Sequence, residues 1–410
     1  MFNNILSKLN NKYLFILCFI ISISFYLLIP QSYKINESSD YIGYYKPVAE
    51  NIVNGIIPEG INHELGYGYP IGFPIILSFL IQISRLISID INTIIFIFSI
   101  LCIYISAVIL KEISNEFFEK NISIISSLTV VSYPLILWTI KQPNSESAFL
   151  PFLFLSTLIY IKGFKNNKNT YLFSSGILLG ISMMIRPIAI GLPFVFVLFT
   201  VFYKLKTKEK IFKVLVSSLI ILSGVLVTVS PWEYYVYHRI NKVVPLGTVG
   251  GGGIYDGLTF NVNLKNYRIK KELPANIENL MTEFKNDLVM PPTFKEISHT
   301  LNKQLINQPS TLIEFYTYKF FRTFYATDSH RNETPIFFLQ LIYLSLVAFA
   351  VIKSIKKRIM NNFEFLFLGI IFYFAFMATI ALSIVRYTVP AICLMFVFLP
   401  IYFYKEVKYE

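Results

Sequence analysis

Long apolar runs, divided by short basic clusters, dominate this sequence. They fall at about 13–30, 70–89, 91–110, 122–140, 147–162, 171–185, 187–203, 211–230, 335–352, 362–383 and 387–404. Runs of this length read as membrane spans, since only a helix satisfies its own backbone hydrogen bonds in lipid. The clusters between them are Lys8/Lys12, Lys111/Lys120, Lys162/Lys165/Lys168, Lys204 to Lys213, Lys353 to Arg358 and Lys405/Lys408. Charged residues make up 15% of the chain, against about 25% in soluble domains. The net charge of +12 comes from loops where cytoplasmic lysines are expected, so no nucleic-acid partner is needed to explain it.

Parity then tests the count. With the N-terminus cytoplasmic, eleven spans would put the clusters at 162–168, 204–213 and 353–358 outside. Removing the run at 70–89 returns every basic cluster to the inside. That run opens Tyr69-Pro70-Ile71-Gly72-Phe73-Pro74 and carries Gln82 and Arg85. Such composition suits a helix lying along the outer surface. The sequence therefore predicts an all-α integral membrane protein with about ten transmembrane helices and both termini cytoplasmic. The first span lacks a small-x-small cleavage site after Pro30 and is expected to be retained.

Three parts follow. An N-terminal transmembrane module covers 1–230, with a first outer loop at 31–90. A small extracytoplasmic domain covers 231–334, and C-terminal transmembrane helices cover 335–410. The aromatic stretch 309–326, with Lys319 and Arg322, reads as an interfacial helix. The loop from Pro231-Trp232 to Gly257 contains Gly250-Gly251-Gly252-Gly253. Such backbone could approach a phosphate or move as a lid, but it matches no nucleotide-binding spacing and reads as a plain flexible loop. Cys18, Cys102 and Cys393 all lie in apolar runs, without metal-ligand spacing. The four histidines form no close pair, so no metal site is predicted, although a divalent metal remains open.

On this topology the polar residues Asp40, Glu146, Arg186, His238/Arg239 and Arg386 gather at the outer face. Ionisable residues near spans are costly and mark function by default. Asp40, in Ser38-Ser39-Asp40-Tyr41, could act as a general base, or be a solvated loop acid, with Glu37 its competitor. Glu146 follows Asn144-Ser145 and could bind an acceptor, or simply favour a helix N-terminus. Arg186, before Pro187, and Arg386 could each clasp a phosphate bidentately, or snorkel to headgroups.

The order of these features resembles the GT-C-type membrane glycosyltransferases, in the group of protein O-mannosyltransferases and lipid A aminoarabinose transferases. The residues carrying the resemblance are Asp40-Tyr41 with Tyr44-Tyr45, Gly68 to Pro74, Ser145-Glu146, Gly180 with Arg186-Pro187, Pro231-Trp232 with Pro245-Leu246, and Arg386-Tyr387 with Pro390. The first motif departs from the commonest family form, because Ser39-Asp40-Tyr41 lacks an Asp-Glu pair. The resemblance implies a GT-C-like fold with juxtamembrane helices. It also implies inverting transfer of a hexosyl or pentosyl group from a polyprenyl-phosphate donor to a lipid, glycan or protein acceptor. Asp40 would be the base and Glu146 would position the acceptor. Arg186, Arg239 and Arg386 would hold the donor phosphate, and Tyr44, Tyr45, His63, Tyr67 and Tyr387 would line the acceptor and sugar. The site would lie on the extracytoplasmic face of a bacterial plasma membrane. Two further readings stay open: a non-enzymatic transporter or flippase of envelope lipids or polysaccharide, and an envelope polymerase using two lipid-linked sugars.

Overall fold

The computed structural model describes residues 10–34, 40–56, 68–247, 250–263 and 269–404, and among them every regular element is helical. Helix α1 (Asn11–Leu28) starts at Asn10, whose side chain accepts from the amides of Lys12 and Tyr13. Tyr41–Tyr45 form one wide π-type turn that runs into α2 (Lys46–Val53). Next come α3 (Gly72–Ile87) and α4 (Ile91–Asn115), the latter capped by Asp90. Helix α5 (Lys120–Ser132) breaks by 47° into Pro134–Lys141. Pro134 lacks the amide that would continue the ladder.

The bundle continues with α6 (Ser145–Lys165), α7 (Asn169–Ile185), α8 (Leu192–Lys206) and α9 (Ile211–Ile240). Helices α4, α6, α7, α9 and α8 pack in a row, each against the next. The α7–α9 contact is the closest. A Cβ on Gly176 would strike the Ile221 carbonyl oxygen, and one on Gly224 the Phe173 carbonyl oxygen. Glycine on both sides lets the two backbones touch, which is how helices pack tightly in lipid.

A helical module then follows: α10 (Gly250–Leu258), α11 (Ala275–Asp287), α12 (Phe294–Asn307) and α13 (Pro309–Arg322). Its own core includes Leu258, Phe260, Leu280, Met281, Phe284 and Phe315. Helix α14 (Glu333–Lys357), α15 (Glu364–Ile380) and α16 (Val385–Met395) complete the chain, and α16 runs on as a 3-10 segment, Phe396–Tyr402. Leu382 and Ile384, between α15 and α16, belong to the module's core and dock it on the bundle.

The expected count of ten spans is not confirmed. Among the described residues seven helical stretches are long and apolar enough to cross a membrane, eight if the bent pair is one span. Helices α7 and α15 coincide with two of the ten expected runs, but each has 17 residues. At 1.5 Å per residue that is about 26 Å, against a hydrocarbon core of about 30 Å, at the lower end of the range for a span. The excluded run forms α3, whose Phe73, Leu77, Leu80 and Ile81 are buried while Ile75, Phe79, Ile83 and Leu86 are exposed.

Three local expectations are corrected. Helix α9 does not end before Pro231 but continues through it to Ile240. The glycine run is not an open loop: it starts α10, where Gly251 packs on the Pro292 carbonyl oxygen and Gly257 on that of Ala381. No side chain fits at either contact. Helix α13 does not present its charges at an interface, because Leu312, Phe315, Lys319 and Arg322 form one buried face. Lys319 donates to the Ile380 and Ala381 carbonyls at 3.3 and 2.9 Å, capping α15. Arg322 pairs with buried Glu333 at 3.3 Å, and Lys271 meets the same carboxylate at 3.0 Å. Burial pushes the Lys319 ammonium well below its ordinary pKa.

Candidate active site

Each side chain of the site stands beside a break in regular structure. Asn144 caps α6, accepting from the Glu146 amide at 3.2 Å while its own amide group donates to the Thr139 carbonyl at 2.9 Å. This fixes Glu146 in the first turn of α6, where a carboxylate favours the positive end of the helix dipole. Arg186 ends α7 in an extended conformation (φ −138°), as a residue before proline prefers. Arg386 is the second residue of α16. Asp40 immediately precedes the wide turn Tyr41–Tyr45, an irregularity often found at functional sites.

These four residues, spread over nearly the whole chain, meet in one cluster. Buried Arg186 and Glu146 pair with Nη1 2.5 Å from Oε1. Arg386 stands among three carboxylates: its Nε is 3.7 Å from Glu146 Oε1, Nη2 3.9 Å from Asp40 Oδ2, and Nη1 3.8 Å from Asp328 Oδ2. The Tyr387 ring lies 5.5 Å from the Arg186 guanidinium and 5.4 Å from that of Arg386, within cation–π range of both. Nothing in the sequence analysis pointed to Asp328. It follows the end of α13 and reaches the site because α16 is tied to this segment: the Val385 amide donates to the Ala326 carbonyl at 2.8 Å, and Thr388 Oγ1 to the Thr323 carbonyl at 2.7 Å.

A tyrosine layer supports Asp40. Tyr69 donates its hydroxyl to Asp40 Oδ1 at 3.3 Å, and Tyr44 donates to the Tyr69 carbonyl at 2.8 Å. The Tyr45 ring packs 5.4 Å from Tyr69 and 5.0 Å from Phe73. Burial, then the nearby Asp40 charge, holds the Tyr69 phenol well above its ordinary pKa, and burial does the same to Tyr45. Both rings therefore stay neutral, and Tyr69 remains a donor.

The two acids differ in availability. Glu146 has a 6% exposed side chain and is held by both arginines, whereas the Asp40 side chain is 46% exposed and faces the Arg386 guanidinium only at 3.9 Å. A second molecule can reach Asp40 more readily than Glu146. Arg386 retains donor capacity, since its buried Nε has no hydrogen-bond partner, whereas Arg186 Nη1 is taken up by Glu146 at 2.5 Å. An unfilled guanidinium donor on the part-exposed Arg386 suits a phosphate oxygen.

The remaining expected residues fall elsewhere. Arg239 does not join the cluster: it lies in the last turn of α9, with its guanidinium 5.5 Å from the Tyr235 ring. Glu37, His63 and Tyr67 lie outside the described residues. Among the described residues no group of three His, Cys, Asp or Glu could hold a metal ion. The cation amid the three carboxylates is the Arg386 guanidinium.

Residues 73–235 match the family model of dolichyl-phosphate-mannose-protein mannosyltransferases. The matched stretch runs from α3 through α9, less than half of the chain, and contains Glu146 and Arg186. It falls within the group that the order of motifs resembles. Among solved structures, the chain is similar to the oligosaccharyltransferase AglB of the archaeon Archaeoglobus fulgidus, solved with an inhibitory peptide and a dolichol-phosphate. That likeness has a TM-score of 0.42 and 11% sequence identity, over 95% of this chain and 50% of that one. The chain thus spans half the length of that protein. No curated protein matches it.

Proposed function

We propose that this chain is a membrane glycosyltransferase that moves a sugar from a polyprenyl-phosphate donor to an acceptor, with inversion, at the extracytoplasmic face. The observation that carries this reading is the meeting of Asp40, Glu146, Arg186 and Arg386 in one cluster. The family match over residues 73–235 supports the same class of chemistry.

The parts divide by availability. Asp40 takes the proton from the acceptor hydroxyl or amine as that atom bonds to the anomeric carbon. The bond from that carbon to the phosphate oxygen breaks, and its electron pair leaves with the polyprenyl phosphate. Arg386 receives the phosphate on its unfilled donor, and Arg186, paired with Glu146, adds its positive charge. A phosphate departs as a stable anion, so the leaving group needs no paired acid, unlike a glycoside. A positioned base contributes about 10²–10⁴-fold, and one well-placed electrostatic donor about 10²–10³-fold. Glu146 holds the two guanidinium groups in register rather than touching the acceptor. A lipid donor reaches such a site from within the bilayer, which suits a bundle with several exposed apolar faces.

The test is release of polyprenyl phosphate from a radiolabelled polyprenyl-phosphate sugar, using the full chain reconstituted with an extract of native envelope acceptors. Wild-type protein is expected to release it, and Asp40→Asn to lose at least a hundredfold in rate. Equal rates from correctly inserted variant and wild type would remove Asp40 from the mechanism. No release by the wild type would remove the enzyme.

A further inference from the structure

Beside the cluster lies a separate cavity of about 290 Å³. Its wall includes Tyr41, directly after Asp40, and Gln142, four residues before Glu146. Lys34, Lys141, Gln31, Asn92 and Ser99 add to its polar lining, and no Asp or Glu lines it. Its electrostatics are the reverse of the arginine cluster's. There, two arginines face three carboxylates; here, two ammonium groups rest on aromatic rings. Lys34 Nζ lies 4.1 Å from the Tyr26 ring centroid and Lys141 Nζ 4.5 Å from that of Trp138. Neither lysine makes an ion pair among the described residues. Gln142 Oε1 is buried without a hydrogen-bond partner.

We propose that this cavity binds an anionic group, a phosphate or a carboxylate, carried by the acceptor. The placement rests on the reading above, in which Asp40 faces the acceptor. No carboxylate lines the wall, although the Asp328 charge reaches Lys141 from outside it; two ammonium groups so placed attract an anion more strongly than in water, because the surroundings screen less. Lysine is a point-charge binder of phosphate and needs no fork geometry. The orphaned Gln142 oxygen would accept from a hydroxyl next to the anion. The volume is at the lower end for small-molecule pockets. It admits a headgroup-sized fragment and excludes a whole glycolipid. Because the cavity adjoins the segment of Asp40, an acceptor anchored here by its anion would present a nearby hydroxyl to the base.

The chain has two tryptophans, so Trp232→Phe leaves Trp138, beside Lys141, as the only indole reporter. The full chain carrying this substitution, in nanodiscs of phosphatidylcholine, is titrated with sn-glycerol 3-phosphate and, separately, with dihexanoyl phosphatidic acid. The expected result is a saturable change in Trp138 emission, weakened about tenfold by Lys34→Gln and by Lys141→Gln. A response to both probes means that a free phosphate suffices. A response to the lipid alone means that the anion belongs to a membrane headgroup. Either supports the site. No saturable response to either probe overturns it. So does a response that survives both lysine variants but is lost in Arg386→Lys, since that anion would sit on the arginine cluster. Binding requires no turnover, so a failure here is distinguishable from a failure of the sugar-release assay.

Discussion

Replacing Glu146 by Gln tests whether this carboxylate holds the arginines. The change keeps shape and removes one charge. Glu146 is buried, 2.5 Å from Arg186 and 3.7 Å from Arg386. Removing one member of a buried ion pair costs about 3–5 kcal/mol, because the partner stays charged and unpaired. For a chain of 410 residues, that lowers the unfolding temperature by about 4–6 °C. The same change frees two guanidinium groups for an anion. Polyprenyl phosphate should bind Glu146→Gln about tenfold more tightly than wild type, a gain of about 1.4 kcal/mol. At a hundredfold excess over its dissociation constant, a ligand adds about 2.7 kcal/mol to the stability of wild type. The variant should therefore regain most of its lost stability when ligand is present. Thermal unfolding in detergent, with and without a short-chain polyprenyl phosphate, reads both effects. A Glu146→Gln protein that unfolds at the wild-type temperature would show that Glu146 does not hold the arginines. So would one that the ligand stabilises no more than wild type.

Other expected outcomes follow from the same geometry. Arg386→Lys keeps the charge but cannot span three carboxylates, so donor binding should weaken about tenfold, as measured by isothermal titration with a non-transferable donor analogue. Tyr69→Phe removes the hydroxyl that donates to Asp40 and should slow transfer a few-fold, in line with about 1 kcal/mol for one hydrogen bond, while unfolding temperature stays nearly unchanged. Gly257→Ala places a methyl against the Ala381 carbonyl oxygen. It should destabilise the chain by about 1–3 kcal/mol and increase protease sensitivity within 250–330. Thr388→Val breaks the bond to the Thr323 carbonyl. It should lower kcat more than it raises KM, with Thr388→Ser restoring the rate.

The parts legible in the sequence were those with a local chemical signature. Apolar runs mark helices because nothing else satisfies a backbone in lipid. Asp40, Glu146, Arg186 and Arg386 stood out because each adjoins a helix end, and charge parity gathered them on one side. Asp328 carried no such signal. Its segment, Thr327-Asp328-Ser329-His330, reads as an ordinary turn, and only the bonds from α16 to Thr323 and Ala326 bring it to Arg386. Lys319 and Arg322 were misplaced because an aromatic, basic helix looks the same at an interface as in a small core. What separates the two is the partners, the α15 carbonyls and Glu333, and these lie 11 or more positions away. The glycine run was misread because its requirement comes from Pro292 and Ala381, which a local reading does not see. The count of ten rested on runs that could be counted but not measured for helix length, and α7 and α15, at 17 residues each, leave it unconfirmed.

The most direct measurement is a structure of the full chain, in a lipid nanodisc, with a non-hydrolysable polyprenyl-phosphate sugar bound. The phosphate is expected against Arg386 Nε and beside the Arg186 guanidinium, with the anomeric carbon between it and the Asp40 carboxylate. A donor phosphate bound away from both arginines, or an anomeric carbon turned from Asp40, would contradict the account.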